Sequence, residues 1–172
     1  QLYRSRNFNS IDASAYIHEL IDSIHSSFSD GEHEIKLKKE ITPIAVSINE
    51  LIPVGMLINE ILSNSYKHAF LNIENPEILI KTSITADLDY LLIISDNGIG
   101  ISPEKLIKSD ESAGFIIIEA LVNQLNAKMS INHMNGTEYS VIIPAKEKKN
   151  DEKDKKKEKK GKTELKNLLS VL

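Results

Sequence analysis

The sequence predicts an α+β fold in which a mixed sheet carries helices on one face. Three observations predict it. The apolar period switches along the chain in the order helix, strand, helix, strands, helix, strands, and that order places helices and a mixed sheet in separate layers. Asn135-Gly136 separates the last two strand-like runs, and that dipeptide is a strong signal for a tight hairpin turn. The chain has 172 residues and no internal repeat, enough for one core and little more.

Residues 1–10 are polar and read as the end of an upstream helix. A first helix is expected from Asp12 to Phe28, with Ile17, Leu20, Ile21, Ile24 and Phe28 at helical spacing and the Asp12 carboxylate as its cap. Asp30-Gly31 is a turn, and Ile35 and Leu37 alternate with charged residues in a short strand. A second helix is expected from Pro53 to Phe70, since proline is tolerated in a first turn. Residues 77–85 and 89–95 are strand-like, with Asp87 in the turn between them. A loop over 96–113 leads to a third helix, Gly114 to Asn126, and then to strands at 128–133 and 137–143.

Residues 11–145 form the globular body, and 146–172 a charged low-complexity tail. Ten lysines against five acidic residues over 145–162 leave −9 on residues 1–144, within an overall charge of −4. So acidic a body is a poor partner for nucleic acid, whose binding rests on phosphate neutralisation. The tail reads as a solvated charged segment. Beyond it, Leu165, Leu168, Leu169 and Leu172 recur at helical spacing after Thr163, either as a short partner-binding helix or as the start of a further segment. There is no cysteine, which removes disulfides, thiolate metal sites and a cysteine nucleophile and fits a reducing, cytoplasmic setting. No apolar run reaches the ~20 residues of a membrane helix. The chain reads as a piece of a longer protein, and a membrane anchor upstream is compatible with it.

The polar residues of the second helix form one stripe. At about 100° per residue, with Glu60 at zero, Asn64 falls near 40°, Lys67 near −20° and His68 near 80°. Ile58, Leu62, Ser65 and Ala69 lie across the axis and face the sheet. The stripe suits a nucleotide: an Asn64 amide oxygen for Mg2+, a Lys67 ammonium for phosphate, and Glu60 as a base or second-shell magnesium partner. Such a stripe is also what any solvated amphipathic helix presents. The apolar run Leu91-Leu92-Ile93-Ile94 reads as a buried strand ending in Ser95-Asp96-Asn97-Gly98-Ile99-Gly100. There Asp96 can accept a hydrogen bond from an exocyclic amine, while glycines let the backbone turn sharply. An ordinary Asp-Asn-Gly turn reads the same way. Ser112-Ala113-Gly114 opens the third helix with small residues and unpaired N–H groups that suit a phosphate. Gly136-Thr137 opens the last strand.

In this order and spacing the pieces resemble the Bergerat ATP-binding fold of histidine kinases, DNA gyrase, mismatch-repair ATPases and a heat-shock chaperone family. Glu60-x-x-x-Asn64 is similar to its N-box, and Asp96-Asn97-Gly98-Ile99-Gly100 to its first glycine box. Ser112-Ala113-Gly114-Phe115 is similar to a reduced second glycine box, and Gly136-Thr137 to the final glycine-threonine element. Asn59-Glu60 through Lys67-His68-Ala69-Phe70 is similar to one bacterial and archaeal group of histidine kinases, and the likeness runs from Phe8 to Pro144. It implies a two-layer α/β sandwich with a mostly antiparallel sheet.

It also implies roles. Glu60 and Asn64 serve catalysis, and Asn64 binds Mg2+. Lys67 and His68 line the phosphate and ribose of ATP. Asp96 reads the adenine amine, in a pocket shaped by Gly98, Ile99 and Gly100. Gly114 and Phe115 lie under the phosphates, Thr137 supports the adenine end, and Ser102 to Glu111 form a lid. Departures are Ser112 in place of a usual glycine, Phe115 in place of a usual leucine, a short lid without the expected phenylalanine, and Asn126-Ala127 where glycines are common.

His18-Glu19 faintly resembles a phosphoacceptor box, but it lies 46 residues before Asn64, too near for a separate helical hairpin. His18 and His25 read as exposed helix residues, and His33 and His133 as surface. The implied function is the ATP-binding catalytic domain of a two-component sensor histidine kinase. Its γ-phosphate goes to a histidine on a dimerisation segment of the same protein, absent from this chain, and then to a response regulator receiver domain. The full-length protein is expected to be a homodimer. Two alternatives stand beside it: a nucleotide-binding module without kinase activity, and a protein-serine kinase of the anti-sigma type.

Overall fold

A computed structural model describes residues 10–28, 35–43, 45–101 and 113–145. Residues 1–9, the Asp30-Gly31 turn, His33, the expected lid from Ser102 to Glu111, Ser112 and the 146–172 tail lie outside the described residues. The elements are β1 (Ser10–Asp12), α1 (Ser14–Phe28), β2 (Lys36–Ile41), β3 (Ala45–Ser47), α2 (Ile48–His68), β4 (Glu77–Ile84), β5 (Tyr90–Asp96), α3 (Ala113–Leu125), β6 (Lys128–Asn132) and β7 (Thr137–Ile143).

Five strands form one sheet in the order β2-β4-β5-β7-β6. β2 runs parallel to β4, and every other neighbouring pair is antiparallel. The sheet is therefore mixed and mostly antiparallel, as expected. Because side chains alternate across a strand, one face gathers Ile78, Ile80, Leu92, Ile94, Tyr139, Val141 and Ile143, all buried. Ile17 and Ile21 of α1, Ile58, Ile61 and Leu62 of α2, and Ile118 and Leu125 of α3 complete that core. Full burial of each such side chain contributes roughly 1.5–3 kcal/mol. The opposite face stays partly open and carries the ion pairs Lys38–Glu77 at 2.7 Å and Lys81–Glu40 at 2.8 Å.

α2 lies between the other two helices. On one flank Gly55 leaves room for the Tyr16 ring of α1, and on the other Gly114 of α3 meets the Glu60 and Asn64 side chains. The helix begins at Ile48, five residues before the expected start at Pro53. Ser47 caps it: its backbone N–H and its Oγ both donate to the Glu50 carboxylate, at 3.1 and 2.7 Å. Pro53 therefore sits inside the helix. α1 begins at Ser14, after Asp12, which closes the short strand β1 paired with β3. Ser10, expected to end an upstream helix, opens that strand.

The β6–β7 turn places Gly136 at φ 86°, and Asn126 takes φ 51° just after α3. Asn126 thus ends α3 in the left-handed conformation that a glycine would usually supply. Among the described residues no helix is long and apolar enough to cross a membrane.

Candidate functional site

The register of β5 puts Asp96 between Ile78 of β4 and Thr137 of β7, on the face covered by helices. Asp96 is 7% exposed, so its carboxylate needs partners. Oδ1 accepts from the backbone N–H groups of Gly98 at 3.0 Å and Thr137 at 3.1 Å. Oδ2 accepts from Ser65 Oγ at 2.8 Å. Among the described residues no buried side-chain polar atom lacks a partner. Tyr139, two residues along β7 on the same face, has its phenol pushed above its ordinary pKa by burial, and further by the nearby Asp96 carboxylate.

Glycines make this corner possible. A Cβ on Gly98 would collide with the backbone and side chain of Ala69 at the end of α2, and one on Gly136 would overlap the Asp96 carbonyl oxygen. The Ile99 N–H donates to Ala69 O at 2.9 Å, tying the loop after β5 to the end of α2. Gly100, at φ 71°, lies against the carbonyl of His133 in the β6–β7 turn. Ile99 itself is 54% exposed.

A second cluster forms where α3 starts. A Cβ on Gly114 would stand 2.5 Å from Glu60 Oε1 and 3.5 Å from the Asn64 side-chain amide. Glu60 and Asn64, one turn apart on α2, therefore face the N-terminal turn of α3, with Phe115 half-buried beside it. The two clusters meet at consecutive residues. The Asn64 side chain faces Gly114, while the next side chain, Ser65, faces Asp96. Ile58, Leu62, Ser65 and Ala69 are buried, as their side of the helix predicts.

The structure does not bring every candidate together. Lys67 Nζ lies 6.0 Å from the centroid of the Phe28 ring, on the α1 side of α2. His68 is exposed on the last turn. Sequence reasoning also left Ser65 outside the site, and gave Gly136 a place in the final glycine-threonine element but no role of its own. Ser65 was legible as a polar residue on an otherwise apolar stripe, which demands a buried partner. Asn97 acts as a clamp on the edge: Glu77 N donates to its Oδ1 and its Nδ2 donates to Asn75 O, both at 2.8 Å. A cavity of about 290 Å³ at this end of the sheet is lined by Glu77, Leu79, Ser95, Asn97 and Glu138 and also by Asp96, Gly136 and Thr137. Glu77, Leu79, Ser95 and Glu138 belong to the open face, whereas Asp96 and Thr137 belong to the helix-covered face; Glu60, Asn64 and Gly114 do not line the cavity. Among the described residues no three His, Cys, Asp or Glu side chains converge on a metal position.

Residues 49–147 match the family described as histidine kinase-, DNA gyrase B- and HSP90-like ATPase. Blue-light-activated histidine kinase 2 of Erythrobacter litoralis is 24% identical over 140 residues, which span 81% of this chain and 40% of that protein. The histidine kinase domain of the Erythrobacter litoralis EL346 blue-light-activated kinase shares the fold with a TM-score of 0.71 at 23% identity, over 78% of this chain and 61% of that one. The mycobacterial sensor histidine kinase MprB superposes with a TM-score of 0.64 at 19% identity, over 78% of this chain and 97% of that structure.

Proposed function

The chain belongs to the histidine kinase-, DNA gyrase B- and HSP90-like ATPase family, and from that premise we propose that it is the ATP-binding catalytic domain of a sensor histidine kinase. The observation that carries this reading is the divergence of Asn64 and Ser65. Of these neighbours on one helix, Asn64 faces the start of α3 and Ser65 reaches Asp96, which supports a single site with a phosphate end and a base end.

At the base end, Asp96 accepts the exocyclic amine of adenine, with Gly98, Ile99, Gly100 and Thr137 around it. An ionised carboxylate has about four acceptor positions. The structure fills three of them, from Ser65, Gly98 and Thr137, which leaves room for one more donor. At the other end the first N–H groups of α3, opened by Gly114 and Phe115, suit an anion. Lys67 and His68 are exposed on the turn after Asn64, and Lys67, whose ammonium lies by Phe28, would have to swing across α2 to reach phosphate.

The donor set fits magnesium. The Asn64 amide oxygen, a hard neutral ligand, would hold the ion. When bound, the ion neutralises charge on the phosphates during transfer. Glu60 holds the proton released when a histidine nitrogen bonds to the γ-phosphorus and the bond to the β-phosphate oxygen breaks. The chain otherwise contributes position and charge.

The accepting histidine lies on a dimerisation segment of the same protein. The phosphate passes on to a response regulator receiver domain, and the full protein works as a homodimer on the cytoplasmic side. Calorimetry with Mg-ATP on this chain, followed by phosphate transfer in the longer protein, tests the reading. Acid-labile phosphohistidine is expected. Acid-stable phosphoserine on a partner, or binding with no transfer, contradicts it.

A further inference from the structure

We propose that Ser65 is a positioning residue that sets selectivity for the nucleobase, by fixing Asp96 in the orientation that takes an exocyclic amine. This rests on the reading of Asp96 given above and deepens it.

Ser65 is 5% exposed and sits on the sheet-facing stripe of α2 between Leu62 and Ala69. Alanine would fill that position with a better helix propensity and no polar atom to satisfy. A serine in a helix commonly bonds back to its own preceding turn. Here the hydroxyl instead donates to Asp96 Oδ2 at 2.8 Å.

The consequence lies in the geometry of the carboxylate. Its Oδ1 is pinned by two backbone donors, Gly98 N and Thr137 N. Aspartate has a broad terminal torsion, so Oδ1 contacts alone leave the plane of the group loosely set. The Ser65 hydroxyl closes that freedom from the helix side. Both carboxylate oxygens are then committed as acceptors, and the open acceptor position has a defined direction. A base carrying an amine there is favoured. A base carrying a carbonyl meets an acceptor opposite an acceptor.

The test is a cycle between the side chain and the ligand. Affinities of wild type and Ser65→Ala are measured for Mg-ATP and for the magnesium complex of purine riboside triphosphate, which has hydrogen in place of the amine. Hydrogen bonds to charged groups are worth about 1.5–3 kcal/mol, about a ten- to hundredfold effect. A loosened rather than lost bond is therefore expected to weaken Mg-ATP roughly tenfold, while the analogue changes less than about twofold. Ser65→Cys keeps the volume with a weaker donor and is expected to fall between the two.

Equal weakening of both ligands, or no weakening of either, overturns the proposal and leaves Ser65 a packing residue. A wild-type chain that binds both ligands equally overturns the reading of Asp96 itself, and this inference with it.

Discussion

Gly114 of α3 stands so close to Glu60 of α2 that a Cβ built on it would lie 2.5 Å from Oε1. The neighbour in question is the far end of a flexible side chain, so Gly114→Ala can be accommodated by moving the Glu60 carboxylate. Alanine also favours a helix over glycine by up to about 1 kcal/mol. The variant is expected to keep or slightly raise its melting temperature. Phosphate transfer to the longer protein's histidine segment, measured with the variant domain in place, is expected to fall at least roughly tenfold if Glu60 holds the proton. Unchanged transfer would remove Glu60 from the chemistry.

Gly136→Ala is expected to behave in the opposite way. The residue has φ 86° and its Cβ would overlap the backbone carbonyl of Asp96, which cannot step aside. A non-glycine residue in such a conformation costs on the order of 1–3 kcal/mol before any clash. A lower urea midpoint should therefore accompany weaker nucleotide binding, because the strain falls on the strand that carries Asp96.

Asn64→Ala tests the magnesium assignment. Wild type is expected to bind ATP roughly tenfold more weakly when the metal is chelated. Asn64→Ala should show that weaker binding from the start and lose little more with chelator. Equal sensitivity to chelator in both proteins would place the metal elsewhere.

Tyr66 gives a pH signature separate from the site. Its hydroxyl lies 2.7 Å from His25 Nδ1 and its ring stacks on Phe28. Burial pushes its pKa up from 10.0 to about 12. The folded state therefore favours the neutral phenol, and the stabilisation is complete below the unfolded value near 10.0 and lost as pH rises toward about 12. Tyrosinate absorbance should show a late-titrating step, to which the raised Tyr139 also contributes, and that step should lose the Tyr66 share in Tyr66→Phe. An unaltered late step in that variant would contradict the assignment.

Much of this was legible in the sequence, for reasons that also mark the limits. β4, β5, β6 and β7 are long enough for their alternation to show, and Asn135-Gly136 joins the last two. β1 and β3 have three residues each, too few for any period. The start of α2 was misplaced because Pro53 reads as a helix opener, whereas Ser47 and Glu50 cap the helix five residues earlier. A helical projection placed Glu60 and Asn64 together correctly. It gives the direction in which a side chain leaves the helix and not where a long one ends, so it could not foresee Lys67 Nζ beside Phe28. Nor could it show that Asp96 reaches Ser65, because that contact joins residues 31 apart in sequence.

Titration of the isotope-labelled chain with Mg-ATP, followed through its backbone amide resonances, tests the central claim most directly. The expected result is that Gly98, Thr137, Gly114 and the Glu60–His68 stretch shift together along one saturation curve. Shifts confined to the open-face residues Glu77, Leu79, Ser95 and Glu138, with Gly98, Gly114 and the Glu60–His68 stretch unmoved, or no shifts at all, would contradict a nucleotide site between α2, α3 and the end of β5.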